Sequence, residues 1–238
     1  MVNLYLVGGA VRDLLMAKQP HDYDFTVEAS SYEEMKQYLL DDGFTIFVEH
    51  PEFFTIRGRF PSRSWKFGGR QMATRPGDFV LARQDGTYTD GRRPDTVMAG
   101  TLLDDLRRRD FTINAIAQDI NGEFIDPFNG FDDIKSGIIR AVGSAQDRIS
   151  EDPLRALRAI RFAVTKKFRI DDELNDVLRS YWIAKAIDSV AIERVREEMH
   201  KAFSFDTQRT LAWLNHYEGI RDAIFGGTLW LEPTLKAN

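Results

Sequence analysis

Cysteine is absent from the 238 residues. That excludes a disulfide scaffold, thiolate zinc sites and a cysteine nucleophile, and it is compatible with a reducing, cytoplasmic setting. Histidine is scarce: His21, His50, His200 and His216 are the only four, and none stands in an HxxxH or similar pair. A histidine-based metal site is therefore not expected. No apolar run approaches the ~18–20 residues of a membrane span. The opening stretch Met1-Val2-Asn3-Leu4-Tyr5-Leu6-Val7 lacks a basic n-region and meets Arg12 and Asp13 early, so it reads as a buried first strand and not as a signal peptide. Aromatics, by contrast, are plentiful: seventeen Phe and four Trp favour a packed core over disorder. The length predicts one large or two small globular units.

The formal net charge of −5 argues at first against a polyanionic partner, but the charge is unevenly spread. Residues 57–93 hold nine Lys/Arg against three Asp, and from Arg155 to Arg169 there are six basic residues and no acidic one. Residues 171–238 hold eight basic and twelve acidic residues. The middle of the chain suits a polyanion while the rest keeps it soluble, although a solvated surface of uneven charge gives the same counts.

Hydrophobic periodicity changes partway along. Leu4–Val7 and Tyr23–Val27 read as strands, with Gly8-Gly9 breaking into a short helix from about Ala10 to Ala17. Residues 31–41 read as an amphipathic helix, Phe44–Val48, Phe53–Arg59 and Phe79–Ala82 as strands, and 60–77 as a long basic loop. Residues 112–119 read as a helix, and Glu123–Ile125 and Ile138–Val142 as short strands. After Ser150 only helical stripes remain: Leu154, Leu157 and Ala163; Leu174, Val177, Leu178 and Tyr181; Ile192, Val195, Met199 and Phe203; Leu211 and Leu214. The expectation is an α/β domain over 1–145 and a helical domain over 146–238.

Four segments carry residues suited to chemistry. Asp22 and Asp24 flank Tyr23 at the start of a strand, where alternation points both carboxylates one way. Such a pair suits Mg²⁺, which takes one or two carboxylates plus phosphate oxygens; taken alone, an Asp-x-Asp is more often a solvated turn. Gly8-Gly9-Ala10-Val11-Arg12-Asp13 places glycines at a strand-to-helix turn, where backbone N–H groups can approach a phosphate and Arg12 can pair with it, or where the chain simply turns tightly. In Arg107-Arg108-Arg109-Asp110-Phe111-Thr112-Ile113-Asn114, read as opening a helix, Arg109 would take phosphate or sugar oxygens and Asp110 a ribose hydroxyl. Asn114 would lie on the same side as Asp110 at i, i+4.

In Glu151-Asp152-Pro153-Leu154-Arg155, Asp152 is a helix N-cap and Pro153 the first helical residue. That grammar leaves Arg155, Arg158 and Arg161 unexplained; three-residue steps put them on one face beside Asp152. A carboxylate accepts from an exocyclic amine and a guanidinium donates to a ring acceptor, so an Asp/Arg pair can select cytosine and adenine.

Taken together, these segments closely resemble the class II tRNA nucleotidyltransferase (CCA-adding enzyme) and bacterial poly(A) polymerase family. The resemblance rests on the Gly-Gly-x-Val-Arg-Asp turn with Asp22-x-Asp24, Arg-Arg-Asp-Phe-Thr-Ile-Asn at 108–114, Asp126-Pro127-Phe128, and Glu151-Asp152-x-x-Arg155 through Arg161. Glu193-Arg194-Val195-Arg196-Glu197-Glu198 also looks like the family's helix-bracing motif. It covers residues 4 to about 203 and implies an α+β fold: a polymerase-β-like nucleotidyltransferase head with a mixed sheet, then an all-helical neck. A short form without the family's helical body and tail is expected.

The resemblance further implies that Asp22 and Asp24 bind two Mg²⁺ ions and that Gly8, Gly9, Arg12 and Arg109 contact the nucleotide, with Asp110 and Asn114 beside its sugar. Asp152 with Arg155 would read its base, and Arg158 and Arg161 would hold further parts of it. A third catalytic carboxylate is expected on a neighbouring strand, and Asp78 is the choice. The implied reaction is template-independent addition of C and A from CTP and ATP to a tRNA 3′ end, with release of diphosphate. A poly(A) polymerase or a partial CC- or A-adding enzyme shares these motifs. A non-catalytic RNA-binding module and a metal-dependent phosphohydrolase are the readings from other classes. The basic stretch 57–93 is expected to supply part of the RNA grip.

Overall fold

The computed structural model describes residues 2–62, 65–72, 76–85 and 97–226. They fall into two compact units that divide between Ser136 and Gly137. The first runs β1 (Asn3–Val7), α1 (Gly9–Leu15), β2 (Tyr23–Glu28), α2 (Tyr32–Asp41), β3 (Thr45–His50), β4 (Thr55–Arg59), β5 (Lys66–Phe67), β6 (Arg70–Gln71), β7 (Gly77–Leu81), β8 (Arg83–Asp85), β9 (Val97–Ala99), α3 (Leu102–Arg107), β10 (Ala117–Gln118), β11 (Phe124–Ile125) and α4 (Gly130–Ser136). Seven strands form one mixed sheet in the order β11-β10-β1-β2-β7-β4-β3. In it β2 and β7 are parallel and the other neighbours antiparallel.

Alternation along β2 builds this sheet. Tyr23, Phe25 and Val27 bury on one face with Leu4, Leu6, Met35, Leu39, Ile56, Phe79 and Leu81. Phe25 and Phe79 stack with centroids 5.0 Å apart and planes 14° from parallel. Phe60 and Phe67 meet Phe25 edge-on, and Phe44 meets Phe79 the same way. Burying each such ring contributes about 1.5–3 kcal/mol, so this face holds the unit together. The alternate residues of β2, Asp24, Thr26 and Glu28, project to the other face. α2 begins at Ser31, whose Oγ accepts from the Glu34 N–H at 3.1 Å, and seats Tyr32, Met35 and Leu39 in the core.

Three sequence expectations need correction in this unit. Residues 112–119 are not a helix: Thr112–Asn114 form one 3-10 turn and β10 follows, because Ala115, Ile116 and Ala117 are buried and continue into the sheet. Nor does the arginine triplet open a helix. Arg107 ends α3, which starts at a capping box in which Thr101 and Asp104 exchange hydrogen bonds. The stretch 60–77 is not wholly a loop, because β5 and β6 pair as a hairpin across Gly68 and Gly69, both at positive φ as a tight two-residue turn requires. Arg63, Arg75, Arg92 and Arg93 of the basic stretch lie outside the described residues.

The second unit contains β12 (Ile138–Ile139), α5 (Ala145–Glu151), α6 (Leu154–Lys166), β13 (Arg169–Ile170), α7 (Asp172–Leu178), α8 (Ile183–Asp188), α9 (Ile192–Phe205), α10 (Thr207–His216) and α11 (Glu218–Phe225). Its one departure from all-helical character among the described residues is the two-residue parallel pairing of β12 with β13. α6 packs its Leu154, Leu157, Ile160 and Val164 face inward. Tyr181 does not belong to the stripe of Leu174 and Leu178; α7 has ended and the ring is 96% exposed. Leu211 also points outward, and Thr210 and Leu214 form the buried side of α10.

Candidate active site

The polar face of the sheet gathers the acidic residues. In the β2–β7 ladder Asp24 is the direct partner of Asp78, and in β4–β7 Asp78 is the partner of Arg57. The row Asp24, Asp78, Arg57 therefore crosses three strands, with Asp22 one residue before β2. An Arg57 Nη1 lies 3.4 Å from an Asp78 oxygen. Burial pushes the Asp24 carboxyl up from its ordinary value; Arg109 and Arg57 pull it down, and Asp78 and Asp22 push it further up, the net being a rise. Asp78 is likewise raised, by burial first, against the pull of Arg57 and with the push of Asp22. These carboxylates repel one another across a partly desolvated surface, which is the condition a hard divalent cation relieves. Among the described residues no three acidic or histidine side chains converge to hold an ion by themselves. The donor set fits an ion that keeps waters and takes substrate oxygens, as Mg²⁺ does with one or two carboxylates.

Beside this row stands the glycine turn. Gly8 has φ 67° and precedes the seven-residue α1. A Cβ placed on it would lie 2.8 Å from Arg109 Nη1. Glycine is required there twice, by backbone conformation and by the guanidinium packed over it. Arg109 Nη2 donates to Asp105 Oδ2 at 2.8 Å and to Thr26 Oγ1 at 3.4 Å, and Nε donates to Asp105 Oδ2 at 3.2 Å. Its Nη1 makes one long contact, 3.5 Å, to the Asn114 carbonyl. Asp105 is fully buried, and also pairs with Arg108. Burial alone would raise its pKa; Arg109, Arg108 and the Thr26 hydroxyl outweigh that and hold it well below the usual carboxylate range.

A second network lies next to it. Arg12 is buried and donates from Nη1 to Asn114 Oδ1 at 2.5 Å and from Nε and Nη2 to Asp13 Oδ1. Asn114 Nδ2 donates to Asp110 Oδ1 at 2.9 Å, which also accepts from the Phe111 N–H. Asp110 and Asn114 thus share a side as expected, but through a 3-10 turn. The structure brings Gly8, Arg12, Arg109, Asp110 and Asn114 into one connected set. Gly9 begins α1 above Arg12, where a Cβ would meet Arg12 Nη2 at 3.4 Å.

The other four expected residues form a separate constellation in the second unit. Asp152 is not the expected N-cap of α6 but ends α5, one residue before the Pro153 cap; its Oδ1 still accepts from Leu154 N at 3.2 Å and its carbonyl from Arg155 N at 2.9 Å. Both its oxygens also take Arg194, at 2.7 and 3.3 Å. The three arginines do not form one row. Arg155 donates to Glu151 Oε2 at 2.8 Å and to the Arg148 carbonyl at 3.0 Å. Arg158 and Arg161 instead converge on the buried Glu198 of α9, and both guanidiniums lie over the Phe162 ring, at 5.6 and 4.0 Å. Ion pairs thus cross the α6–α9 packing in both directions, Arg194 of α9 to Asp152 and both Arg158 and Arg161 of α6 to Glu198.

Sequence reasoning missed Asp105, Thr26 and Arg57. Asp105 was signalled by its position three and four residues before Arg108 and Arg109, the spacing at which helical side chains meet. Thr26 was signalled by lying two residues past Asp24 on the same strand face. Nothing local announces Arg57, which depends on strand order.

Comparison with known proteins identifies the fold. Residues 4–140 match the family model described as the Poly A polymerase head domain. The CCA-adding enzyme of Oceanobacillus iheyensis is 40% identical over 200 residues, 84% of this chain and 45% of that protein. That of Streptococcus gordonii is 34% identical over 235 residues, 98% of this chain and 52% of that protein. Among solved structures, the Bacillus stearothermophilus CCA-adding enzyme in complex with CTP superposes with a TM-score of 0.73 at 29% identity, covering 90% of this chain and 47% of that one. A tRNA nucleotidyltransferase complexed with a primer tRNA and an incoming ATP analog gives 0.73 at 29% identity, covering 97% of this chain and 61% of that one. The chain spans about half the length of the curated relatives it matches. No described helix is long and apolar enough to cross a membrane. With the mixed-sheet fold and the matched residues 4–140 in agreement, this chain belongs to the poly A polymerase head-domain family.

Proposed function

We propose that the chain is a template-independent tRNA nucleotidyltransferase that adds C and A from CTP and ATP to the tRNA 3′ end and releases diphosphate. The observation that carries this reading is the acidic row: Asp24 and Asp78 as ladder partners on parallel strands, with Asp22 at the strand entrance and Arg109 beside them. The relatives named CCA-adding enzymes, and the similar structures holding CTP or a primer tRNA with an ATP analog, support it.

In this reading Asp22 and Asp24 hold the metal and Asp78 completes the catalytic carboxylates. Divalent cations, taken as Mg²⁺, would lower the pKa of the attacking hydroxyl and neutralise charge on the transferred and leaving phosphates. Arg57 keeps Asp78 aimed along the row. Arg109, with its Nη1 edge over the Gly8 turn, takes a phosphate oxygen, and Arg12 with Gly9 closes the other side of the turn. Asp110 is held by the Phe111 N–H and Asn114 in a fixed orientation suited to a ribose hydroxyl. In the second unit, Asp152 and Arg155 read the base edge that C and A share, and Arg158 and Arg161, braced by Glu198, supply further nucleotide contacts. The exposed Arg59, Lys66 and Arg70 add an RNA-backbone contact. Such an enzyme works where tRNA and nucleoside triphosphates meet, the cytoplasm.

The test is to incubate the chain with Mg²⁺ and tRNA transcripts ending before, within and after CCA, with CTP and ATP separately and together, and to sequence the product ends. Completed CCA ends are expected; runs of A indicate a poly(A) polymerase, and products stopping at CC or gaining only A indicate a partial enzyme. No incorporation on any transcript overturns the assignment. Asp152→Ala is expected to blur the choice between CTP and ATP, and unchanged selectivity refutes its base-reading role.

A further inference from the structure

Asp105 is absent from the roles assigned so far, yet it is fully buried on the polar side of the sheet. A buried carboxylate is costly unless paired, and breaking such a pair leaves an uncompensated charge. Its partners are specific. Oδ1 takes Arg108, while Oδ2 takes Arg109 through both Nε and Nη2 and also the Thr26 hydroxyl at 2.7 Å. Thr26 in turn lies 3.4 Å from Arg109 Nη2. Three of the five Arg109 N–H groups are thus turned toward Asp105 and Thr26, which come from α3 and β2. The fourth side of the guanidinium is set by Gly8, whose missing Cβ leaves room for Nη1.

We infer that Asp105 and Thr26 form a bracket that fixes the Arg109 guanidinium with its Nη1 edge over the Gly8 turn, making Asp105 a positioning residue for the nucleotide's phosphates. The inference rests on the reading of Arg109 as a phosphate ligand. An arginine on a flexible stem loses rotamer freedom when it binds, and a bracket that holds it beforehand removes that cost from each binding event. Because Asp105 is buried among its partners, its effect on nucleotide passes through Arg109. The threonine hydroxyl completes the bracket by turning its lone pair to Nη2 while its hydrogen goes to Oδ2.

The experiment is a double-mutant cycle on CTP affinity, measured by titration calorimetry in Mg²⁺ buffer, with thermal melting followed for every variant. Asp105→Asn is expected to weaken CTP binding about tenfold, roughly one charge-assisted hydrogen bond, in the otherwise unchanged chain. In an Arg109→Ala background the same change is expected to have less than about a twofold effect, since the partner it acts through is gone. Equal weakening in both backgrounds would mean a general loosening of the fold and overturns the inference. So does unchanged affinity in a folded Asp105→Asn chain whose Arg109→Ala counterpart binds weakly. If Arg109→Ala itself binds CTP as tightly as the parent, the phosphate-site reading fails as well. Should Asp105→Asn lack a cooperative melting transition, Thr26→Val carries the same cycle. It removes one hydroxyl from an isosteric side chain and is expected to weaken CTP about threefold with Arg109 present and not at all without it.

Discussion

Gly8 and Gly9 are adjacent, yet the structure gives them opposite tolerances for a side chain. Gly8 sits at φ 67°, ψ −133°, a conformation that costs an L-residue about 1–3 kcal/mol. A Cβ there also comes within 2.8 Å of Arg109 Nη1, so the guanidinium must shift against Asp105 and Thr26. Straining those hydrogen bonds adds about 0.5–1.5 kcal/mol, for a total of roughly 2–4 kcal/mol. Gly9 has no positive φ and opens α1; its Cβ would meet only the end of the flexible Arg12 side chain, at 3.4 Å. Alanine is a better helix former than glycine by up to about 1 kcal/mol. Gly8→Ala should therefore lower the melting temperature by roughly 5–15 °C and weaken CTP binding. Gly9→Ala should melt within about 3 °C of the parent. Far-UV circular dichroism during heating, with CTP titration on the folded chains, measures both. If the two variants melt together, or if Gly8→Ala binds CTP like the parent, the account of this turn is wrong.

Two further outcomes follow from the opposite faces of β2. The Asp24 pKa is raised in the folded chain, chiefly by burial, so the fold favours its protonated form. The associated stability is complete below the unfolded pKa and is lost as pH rises through the folded one, leaving ionised Asp24 a net cost at neutral pH. Asp24→Asn is expected to abolish transfer yet to melt above the parent at pH 7, with the gap closing as the pH falls toward about 4; a lower melting point at pH 7 contradicts the electrostatic argument. On the inner face, Phe25→Ala should lower the unfolding free energy by about 3–5 kcal/mol, read as a reduced urea midpoint at unchanged slope, because the stacked Phe79 loses its partner.

How much of this was legible in the sequence depends on how local the signal was. The alternation Tyr23-Asp24-Phe25 announced a strand with one acidic and one apolar face, and the structure has it. Asp78 was harder, since only strand order brings it beside Asp24, across more than fifty residues of chain; the family pattern suggested it and the ladder shows the pairing. The helix expected over 112–119 failed because the apolar residues 115–117 satisfy a strand in the sheet as well as a helical face. The hairpin around Gly68-Gly69 is announced in the sequence only by its paired glycines, because so short a pair of strands has no period to detect. In the second unit, the expected Asp152 N-cap shifts by one residue, since Pro153 caps α6 and Asp152 ends α5; the tie of Asp152 to Arg194 and the meeting of Arg158 with Arg161 on Glu198 depend on how α6 packs against α9, which no three-residue spacing encodes.

The aromatic stack beneath the acidic row has a consequence for fidelity of assembly. Side chains in a strand alternate with a period of two, so sliding β7 by a single position against β2 would lift Phe79 into water and drive Asp78 among the rings of Phe25, Phe44 and Phe60. Every wrong alignment is thus penalised on both surfaces at once, by a desolvated charge and by a stranded ring. The greasy underside of the sheet acts as the jig that sets the separation of the two carboxylates, and conservative changes there, far from any substrate, should show themselves first as loss of turnover.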